Sequence, residues 1–295
     1  MGIRIYCLDF TGKAAGIVKE YQKIDSSLEV LTVDGYASLP SKLNELISSV
    51  NSKYLFFLAE DEYLHAKGLS YLHEIAEQTE ADVAAASSVL RAAKKGKPEL
   101  ADFAEGTFEL KREASILATT FKERSAELNE TEIPDFAGNK MYRVDFLRKY
   151  GIRFQDIKSG WKDIFCLQTI FGAPKYVKAV SPVCISSGNT TGVALEDNSA
   201  EYARKLVESM FAYQQAIEAM LKQWRGFGNN PLLCDSFRER AMKIFDQQYF
   251  SVIALDDEMR KAVSQAVQEE LQKNPSIGMW WIKYLFMRSS FPQNV

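Results

Sequence analysis

Short apolar runs alternate with helix-like patterns along the first part of the chain. The apolar runs are "IRIYCLDF", "LEVLTVDG" and "KYLFFL", and between them "AGIVKEYQKI" and "LPSKLNELISSV" repeat apolar residues at helical spacing. This β-α-β-α-β order predicts a parallel, doubly wound sheet. We therefore expect an α/β fold with a mostly parallel, Rossmann-like sheet flanked by helices.

The next segment continues the alternation less regularly. Apolar spacing predicts a helix over residues 68–79, followed by a strand in "ADVAAASSV". The turn-like "KKGKP" predicts a hairpin that returns through "GTFEL". The weakly patterned residues 111–135 are assigned to a helix.

Glycine and proline mark the ends of two further helices. One helix is expected from about Asp145 to Gly151, a residue that suits a left-handed C-cap, and another begins at Asp163 and ends before Gly172 and Pro174. A strand follows in "YVKAVSPVCIS", and the loop "SSGNTTG" ends this domain.

The rest of the chain has a helical pattern. It begins at Asn198 and continues with helices from about Asp235 and Asp256. We therefore divide the chain into an α/β domain of residues 1–197 and a C-terminal α-helical domain of residues 198–295.

Acidic residues follow the first three predicted strands. Asp9 and Asp34 follow the first two, and Glu60, Asp61 and Glu62 follow the third. Ligands of doubly wound sheets bind beyond the carboxyl ends of the strands. These carboxylates are therefore expected at a ligand site.

Composition excludes several kinds of partner. The 295 residues are 46% hydrophobic, and 36 basic against 39 acidic residues give a net charge of -3. A charge this close to zero supplies no general attraction to nucleic acid or acidic lipid. We expect no nucleic-acid partner.

The cysteines and the N-terminus indicate the compartment. The four cysteines form no CxxC pair and the chain has two histidines, which argues against zinc and fits reduced thiols. The N-terminus lacks an apolar signal core, and no apolar run approaches the roughly 20 residues of a spanning helix. We expect a cytoplasmic protein, either soluble or peripheral at the inner face of the membrane.

Three blocks share their order and spacing with one known family. They are "KYLFFLAEDEYL", "NKMYRVDFLRKYGIRF" and "SGWKDIFCLQTIF". They resemble the DxD-ending strand, the "NKlyrrdfLkeygirF" block and the Gly-x-Glu-Asp block of bacterial family 2 glycosyltransferases. The resemblance spans about residues 3–190 and implies the nucleotide-diphospho-sugar transferase (GT-A) fold.

The chain departs from that family at several motif positions. Ala59 replaces the first Asp of DxD, and Lys162 replaces the Glu of the Glu-Asp pair. Asn44 matches the Asn of a family Arg-Asn pattern, implying a nucleotide-sugar contact, while Leu43 replaces the Arg. The lost acids support an alternative: a catalytically degenerate module that binds a nucleotide, a glycan or a partner enzyme.

The resemblance implies a divalent cation at the third strand end. Sugar transfer leaves a diphosphate whose charge Mg²⁺ or Mn²⁺ neutralises, held by one or two carboxylates and the phosphates. Asp61 and Glu62 are the implied metal ligands, and Glu60 and Asp61 the implied contacts to the nucleotide sugar. The alternative is a solvated acidic turn before the helix that follows His65, where negative charge suits the helix dipole.

Asp163 is the implied general base. In an inverting transferase one carboxylate takes the proton of the attacking acceptor hydroxyl. The alternative is an ordinary N-terminal helix residue, because Asp is favoured at that position.

Further positions are implied to bind the nucleotide. Asp9 and Asp34 lie where family members hold uracil and ribose, although either could bond turn amides instead. Asn189, Thr190 and Thr191 of "SSGNTTG" are implied to fold over the diphosphate, unless the loop is only a linker.

Together these features favour an inverting glycosyltransferase. The donor is expected to be a nucleotide-diphosphate sugar, UDP-linked, and the acceptor a hydroxyl of a cell-surface polysaccharide, teichoic acid or glycoprotein glycan, including a polyol phosphate. A nicotinamide oxidoreductase is disfavoured because "DFTGKAAG" lacks the GxGxxG phosphate cradle. The terminal "SIGMWWIKYLFMRSSF" contains no acid and suits a membrane interface, packing on its own helical bundle, or packing on a second subunit in a homo-oligomer.

Overall fold

The computed structural model divides the chain into two compact units. The first consists of Met1–Asp156 and Trp161–Thr191, and the second of Ile157–Gly160 and Gly192–Val295. The domain boundary at residue 197 stays a prediction. The structure describes residues 2–9, 12, 14–32, 39–87, 89–91, 106–117, 124, 136–156, 161–186, 207, 211, 215 and 257–273.

The described part of the first unit contains ten strands and five helices. The strands are β1 (Ile3–Asp9), β2 (Leu28–Thr32), β3 (Tyr54–Ala59), β4 (Glu62–Leu64), β5 (Val83–Ala85), β6 (Val89–Arg91), β7 (Ala114–Leu117), β8 (Lys140–Arg143), β9 (Tyr176–Ala179) and β10 (Cys184–Ser186). The helices are α1 (Ala14–Gln22), α2 (Leu39–Ser49), α3 (Gly68–Thr79), α4 (Val144–Lys149) and α5 (Trp161–Gly172).

Seven strands form one mixed sheet in the order β2-β1-β3-β8-β5-β9-β7. Strands β2, β1 and β3 are parallel, as are β5 and β9, whereas β8 and β7 run antiparallel to their neighbours. Five of the seven strands therefore share one direction, which confirms the predicted mostly parallel α/β sheet. A second sheet has the order β4-β10-β6.

Strand β3 is buried because it lies between β1 and β8 and is covered on both faces. Phe56 packs in a core that includes Leu72 of α3. Phe57 points to the opposite face, where its ring meets those of Phe136 at 5.4 Å and Phe154 at 6.2 Å between centroids. Successive strand residues face opposite sides, so the continuous apolar run of this strand fills two cores.

Two predicted strands are each split between the two sheets. The single strand predicted in "ADVAAASSV" is β5 in the large sheet and the start of β6 in the small one. Likewise "YVKAVSPVCIS" contains β9 and β10. Both corrections have one cause: the chain leaves one sheet and enters the other within a few residues.

The return strand predicted in residues 106–110 is wrong. This segment is held by side chains instead of a ladder, since His65 Nε2 bonds the Phe108 carbonyl at 2.8 Å and the Tyr71 hydroxyl donates to the Lys111 carbonyl at 2.7 Å. "KKGKP" lies outside the described residues.

The helix predicted over residues 111–135 is wrong for residues 111–117. Residues 114–117 are strand β7, which pairs antiparallel with β9. Arg124 is helical, and the other residues from 118 to 135 are outside the described ranges. The segment's few apolar residues gave no period that would separate a strand from a helix.

The predicted ends of α4 and α5 agree with the structure to within two residues. Gly151 follows α4 with a φ of +62°, the left-handed conformation that its position predicted. Arg124 holds the end of α5, since its guanidinium donates to the carbonyls of Ile170 and Ala173 at 3.0 Å each. Unpaired carbonyls at a buried helix end need such donors.

In the second unit the structure describes one whole helix, α6 (Asp257–Lys273), which confirms the helix predicted from about Asp256. The predicted helix from Asp235 and the terminal "SIGMWWIKYLFMRSSF" lie outside the described residues. Within the described ranges, no helix combines the length and apolar character needed to cross a bilayer.

Candidate functional site

Strands β1 and β3 bring their carboxyl ends to the same edge of the sheet. They pair in parallel, with Leu8 opposite Ala59 at the end of the register. Asp9 follows Leu8 and Glu60 follows Ala59, so these two acids occupy neighbouring positions. This is the edge at which doubly wound sheets bind ligands.

Three of the predicted carboxylates act on a single buried thiol. Burial, and then the negative charges of Asp9, Glu60 and Glu62, raise the pKa of Cys7 to about 12. Burial together with the charge of Glu62 also raises the pKa of Cys184. The acids that follow β1 and β3 thus form one concentrated region of negative charge.

The turn from β3 to β4 is closed by Glu62. Its Oε2 accepts a hydrogen bond from the Ala59 amide at 2.7 Å. The same carboxylate packs against Gly138, which has a φ of +74° and whose amide donates to the Phe57 carbonyl at 2.7 Å. The backbone amide of Ala59 therefore holds the last acid of the turn.

Asp61 is fixed from the other sheet. The Ser186 hydroxyl donates to Asp61 Oδ2 at 2.6 Å. Ser186 is the last residue of β10 and lies opposite Glu62 in the antiparallel pairing of β10 with β4. Asp61 and Ser186 are both half-buried, so this pair lies at the surface of the acidic turn.

Asp9 is fully buried and supports α1. Its Oδ2 accepts a hydrogen bond from the Ala15 amide at 2.8 Å, in the first turn of that helix. Its Oδ1 is buried and has no hydrogen-bond partner among the described residues. A buried acceptor without a donor costs free energy, but a nucleotide would reach this oxygen only after neighbouring side chains move. The nucleotide contact stays a prediction.

Asn44 joins α2 to the segment after α4. Its Nδ2 donates to the Phe154 carbonyl at 2.8 Å and its Oδ1 accepts from the Phe154 amide at 2.9 Å. The Phe154 ring in turn stacks on Phe165 of α5 with centroids 3.8 Å apart. This contact gives Asn44 a structural role, and its contact to a nucleotide sugar stays a prediction.

Helix α5 begins with a cation beside the predicted base. Lys162 Nζ lies 5.5 Å from the ring centroid of Trp161 and 5.8 Å from that of Phe136. Asp163 is half-buried in the first turn. Because the Phe136 ring also meets Phe57 of β3, one aromatic cluster supports both the start of α5 and the strand that carries the acidic turn.

His65, to which the sequence assigned no role, is a buried structural residue. Its Nδ1 accepts a hydrogen bond from the Lys67 amide at 3.1 Å. The proton must then be on Nε2, which donates to the Phe108 carbonyl. Both ring nitrogens are therefore used within the protein.

Four predicted residues lie outside the described residues: Asp34, Asn189, Thr190 and Thr191. Sequence reasoning also missed two residues that shape the acidic turn, Gly138 and Ser186. The only local signals are that Gly138 directly precedes the "NKMYR" block and that Ser186 begins the "SSGNTTG" loop. Neither signal points to a contact with residues 61 or 62.

The acidic turn can be tested for its fit to a divalent cation. Within the described ranges, no three His, Cys, Asp or Glu side chains form a metal-binding group. Mg²⁺ at phosphates, however, uses only one or two carboxylates besides phosphate and water. Asp61, half-buried and oriented by Ser186, fits that requirement. Glu62 would have to share its carboxylate with the Ala59 amide.

Comparison with solved structures shows that the fold is similar to that of S. aureus TarS. No protein-family profile and no curated protein sequence matches the chain. Among solved structures, S. aureus TarS 1–349 in complex with UDP-GlcNAc matches with a TM-score of 0.56 at 13% identity, over 92% of this chain and 81% of that chain. The same TarS fragment without a named ligand gives 0.48 at 12% identity, over 93% and 92%. Its UDP complex gives 0.47 at 13% identity, over 77% and 72%.

Proposed function

We propose that this chain is an inverting family 2 glycosyltransferase. It moves a sugar from a UDP-linked donor to a hydroxyl of a cell-surface polysaccharide, a teichoic acid or a glycoprotein glycan. The observation that carries the proposal is the parallel pairing of β1 and β3, which brings Asp9 and Glu60 to one carboxyl edge of the sheet, with Glu62 in the turn that follows β3. The fold in which they converge is similar to that of TarS solved with UDP-GlcNAc.

The charge of this edge supports a cation-assisted donor site. A diphosphate is an anion, so repulsion from the acidic turn would prevent it from binding there without positive charge between them. Mn²⁺ or Mg²⁺ held by Asp61, with Glu62 as the second proposed ligand, would supply that charge and neutralise the leaving diphosphate. Lys162, at the start of α5, is a second source of positive charge.

Asp163 is proposed as the general base. The acceptor hydroxyl loses its proton to the Asp163 carboxylate while the hydroxyl oxygen forms the new bond to the anomeric carbon. The bond from that carbon to the diphosphate breaks on the opposite face, which inverts the configuration. Correct orientation of the reacting groups contributes a large share of such catalysis.

A degenerate binding module is the second candidate. It is favoured by the bond between the Glu62 carboxylate and the Ala59 amide, which uses one of the two proposed metal ligands inside the turn. Lys162, in place of the family's Glu, favours it as well. The fold alone does not distinguish the two candidates.

The melting temperature of the full chain with UDP, GDP, CDP or TDP, each with and without Mn²⁺, tests the proposal. A ligand that binds only the folded state raises its stability. We expect UDP to raise the melting temperature in a Mn²⁺-dependent way, and Asp61→Asn to remove the Mn²⁺-dependent part. Absence of a shift with every nucleotide would refute nucleotide-sugar transfer.

A shift that Mn²⁺ does not change would instead favour the binding module. Measuring the release of UDP from UDP-sugars in the presence of acceptor extracts then distinguishes the two candidates. The transferase predicts release that Asp163→Asn abolishes, whereas the binding module predicts none.

A further inference from the structure

The hydroxyl of Ser186 and the carboxylate of Asp61 form a short hydrogen bond across 125 residues of sequence. The 2.6 Å separation lies in the range of charge-assisted O–H···O⁻ bonds, which are stronger than neutral ones. Such a bond fixes the side-chain torsions of the acceptor as well as its position.

The backbone around Ser186 is itself fixed. Strand β10 pairs antiparallel with β4 from Cys184 opposite Leu64 to Ser186 opposite Glu62, and it pairs in parallel with β6 on its other side. A hydroxyl at the end of a strand paired on both sides has little freedom. Its position relative to the acidic turn is therefore determined by the small sheet.

Among the described contacts of the turn, the hydrogen bond from Ser186 is the one that orients Asp61. Glu62 is oriented by the Ala59 amide and by Gly138, so its carboxylate is set independently. Asp61 is half-buried in the two-residue connection between β3 and β4. The hydroxyl occupies one lone pair of Oδ2 and leaves the carboxylate further acceptor capacity.

We propose that Ser186 is a positioning residue that orients Asp61 toward the divalent cation of the donor site. The inference rests on the proposed function, because it assigns Asp61 to that cation. Outer residues that orient a metal ligand typically change metal affinity by about 10- to 100-fold when they are removed. Ser186 therefore sets how much metal the donor complex needs, without touching the donor itself.

The test compares Ser186→Ala, Ser186→Thr and wild type as full chains. The quantity measured is the Mn²⁺ concentration that gives half of the UDP-induced rise in melting temperature. We expect Ser186→Ala to raise this concentration about 10- to 100-fold, with the full rise recovered at saturating Mn²⁺. Ser186→Thr keeps the hydroxyl and should stay within about threefold of wild type.

Ser52→Ala is the matched control. The Ser52 hydroxyl donates to the Tyr54 carbonyl at 2.8 Å, at the opposite end of β3. The Ser52→Ala substitution also removes a serine hydroxyl from a part-buried site, but one far from the acidic turn. It should lower the melting temperature of the chain without ligand and leave the Mn²⁺ requirement unchanged. If Ser186→Ala is too unstable to measure, Ser186→Cys replaces the hydroxyl with a weaker donor and should raise the requirement in the same direction.

The outcomes separate the two proposals. A wild-type chain that shows no shift with UDP and Mn²⁺ refutes the donor site itself. A wild-type shift whose Mn²⁺ requirement is the same in Ser186→Ala and Ser52→Ala refutes only the role of Ser186, and shows that its hydrogen bond serves stability alone.

Discussion

The carboxylate of Glu62 lies directly against the backbone of Gly138. A Cβ atom built on Gly138 would collide with Oε1 and would lie 2.6 Å from Oε2. Gly138 also has a φ of +74°, a conformation that side chains disfavour. The backbone conformation therefore favours glycine where the acidic turn passes the start of β8, and an added Cβ would also displace the flexible end of Glu62.

Gly138→Ala should reduce the free energy of unfolding by about 1–3 kcal/mol through backbone strain, and by about 1 kcal/mol more because the Glu62 carboxylate must leave the Ala59 amide. Urea denaturation monitored by tryptophan fluorescence measures the change. Gly12→Ala is the matched control, since Gly12 has a φ of +76° and nothing within 4 Å of its added Cβ. It should cost about 1 kcal/mol from strain alone.

The double variant Gly138→Ala with Glu62→Ala tests whether the extra loss of stability comes from the contact between the added Cβ and the Glu62 carboxylate. Compared with Glu62→Ala alone, the double variant should lose no more stability than Gly12→Ala does, because the carboxylate that the added Cβ would displace is absent. If Gly138→Ala costs no more than Gly12→Ala, the close packing of Glu62 on this glycine is wrong.

Asn44→Ala should lower the free energy of unfolding by about 2 kcal/mol. The substitution leaves both the amide and the carbonyl of Phe154 without their partner, and unpaired buried polar groups cost about 1–3 kcal/mol. Chemical denaturation gives the value. Asn51→Ala, at an exposed position after α2, should be neutral.

Asn44→Asp refines this prediction. It keeps an acceptor for the Phe154 amide but places a negative oxygen against the Phe154 carbonyl, so it should not restore stability. Wild-type stability of either Asn44 variant would show that the two backbone bonds do not hold α2 to Phe154.

Stability should fall above pH 9 through Cys7. The folded state raises the pKa of this thiol from 9.0 to about 12, so the unfolded chain releases the proton first. The stabilisation is complete below pH 9 and is lost as pH rises toward 12, at up to about 1.4 kcal/mol per unit. Denaturation of wild type and Cys7→Ala under reducing conditions at pH 8, 9 and 10 measures the difference in slope.

The cavity that Cys7→Ala creates should add a cost that does not depend on pH. Only the difference between the two pH profiles tests the thiol, because Tyr6 and other groups contribute equally to both chains. Parallel profiles would contradict the burial of Cys7 among the carboxylates of Asp9, Glu60 and Glu62.

Asp163→Asn should reduce sugar transfer about 10²- to 10⁴-fold, the usual contribution of general base catalysis. The amide keeps the size of the side chain but cannot take the acceptor proton. Initial rates of UDP release with saturating donor and acceptor measure the effect. The Mn²⁺-dependent melting shift with UDP should remain.

Asp145→Asn provides the control for helix-dipole effects. Asp145 is an exposed residue in the first turn of α4, so both substitutions remove a carboxylate from a helix start. Each loses about 0.3–1 kcal/mol of stability, but only Asp163→Asn should lower transfer. An equal effect of both variants on the rate would leave Asp163 as an ordinary first-turn residue.

The sequence predicted the large sheet well because its strands carry a local signal. The run from Tyr54 to Leu58 is apolar throughout since both of its faces are covered, and residues 68–79 show the period of a helix packed on one face. These patterns depend on neighbours within one element. Periodicity therefore predicted α3 with the bounds that the structure shows.

The small sheet was missed for the opposite reason. Residues 83–91 look like one strand because apolar residues continue through Ala86, where the chain passes from β5 toward β6. Membership of a sheet is decided by partners, and β10, the strand that pairs with β6, lies almost one hundred residues later. The hydrophobic period within a segment does not indicate a partner strand so distant in sequence.

The sequence did not predict the contacts of the acidic turn for the same reason. Acids after a buried strand indicated a ligand edge, but the pairs Asp61–Ser186 and Glu62–Gly138 join segments far apart in the chain. The sequence alone also left Asn44 as a nucleotide contact, since nothing local reveals its two bonds to Phe154.

The dependence of Asp61 on Ser186 sets an order of events during synthesis on the ribosome. The acidic turn is translated 125 residues before the hydroxyl that orients it. A nascent chain that already contains β1, β2 and β3 lacks β10, so β4 has no neighbour to pair with. In the proposed donor site, full metal affinity at Asp61 should therefore arise only in nascent chains long enough for Ser186 to have left the exit tunnel.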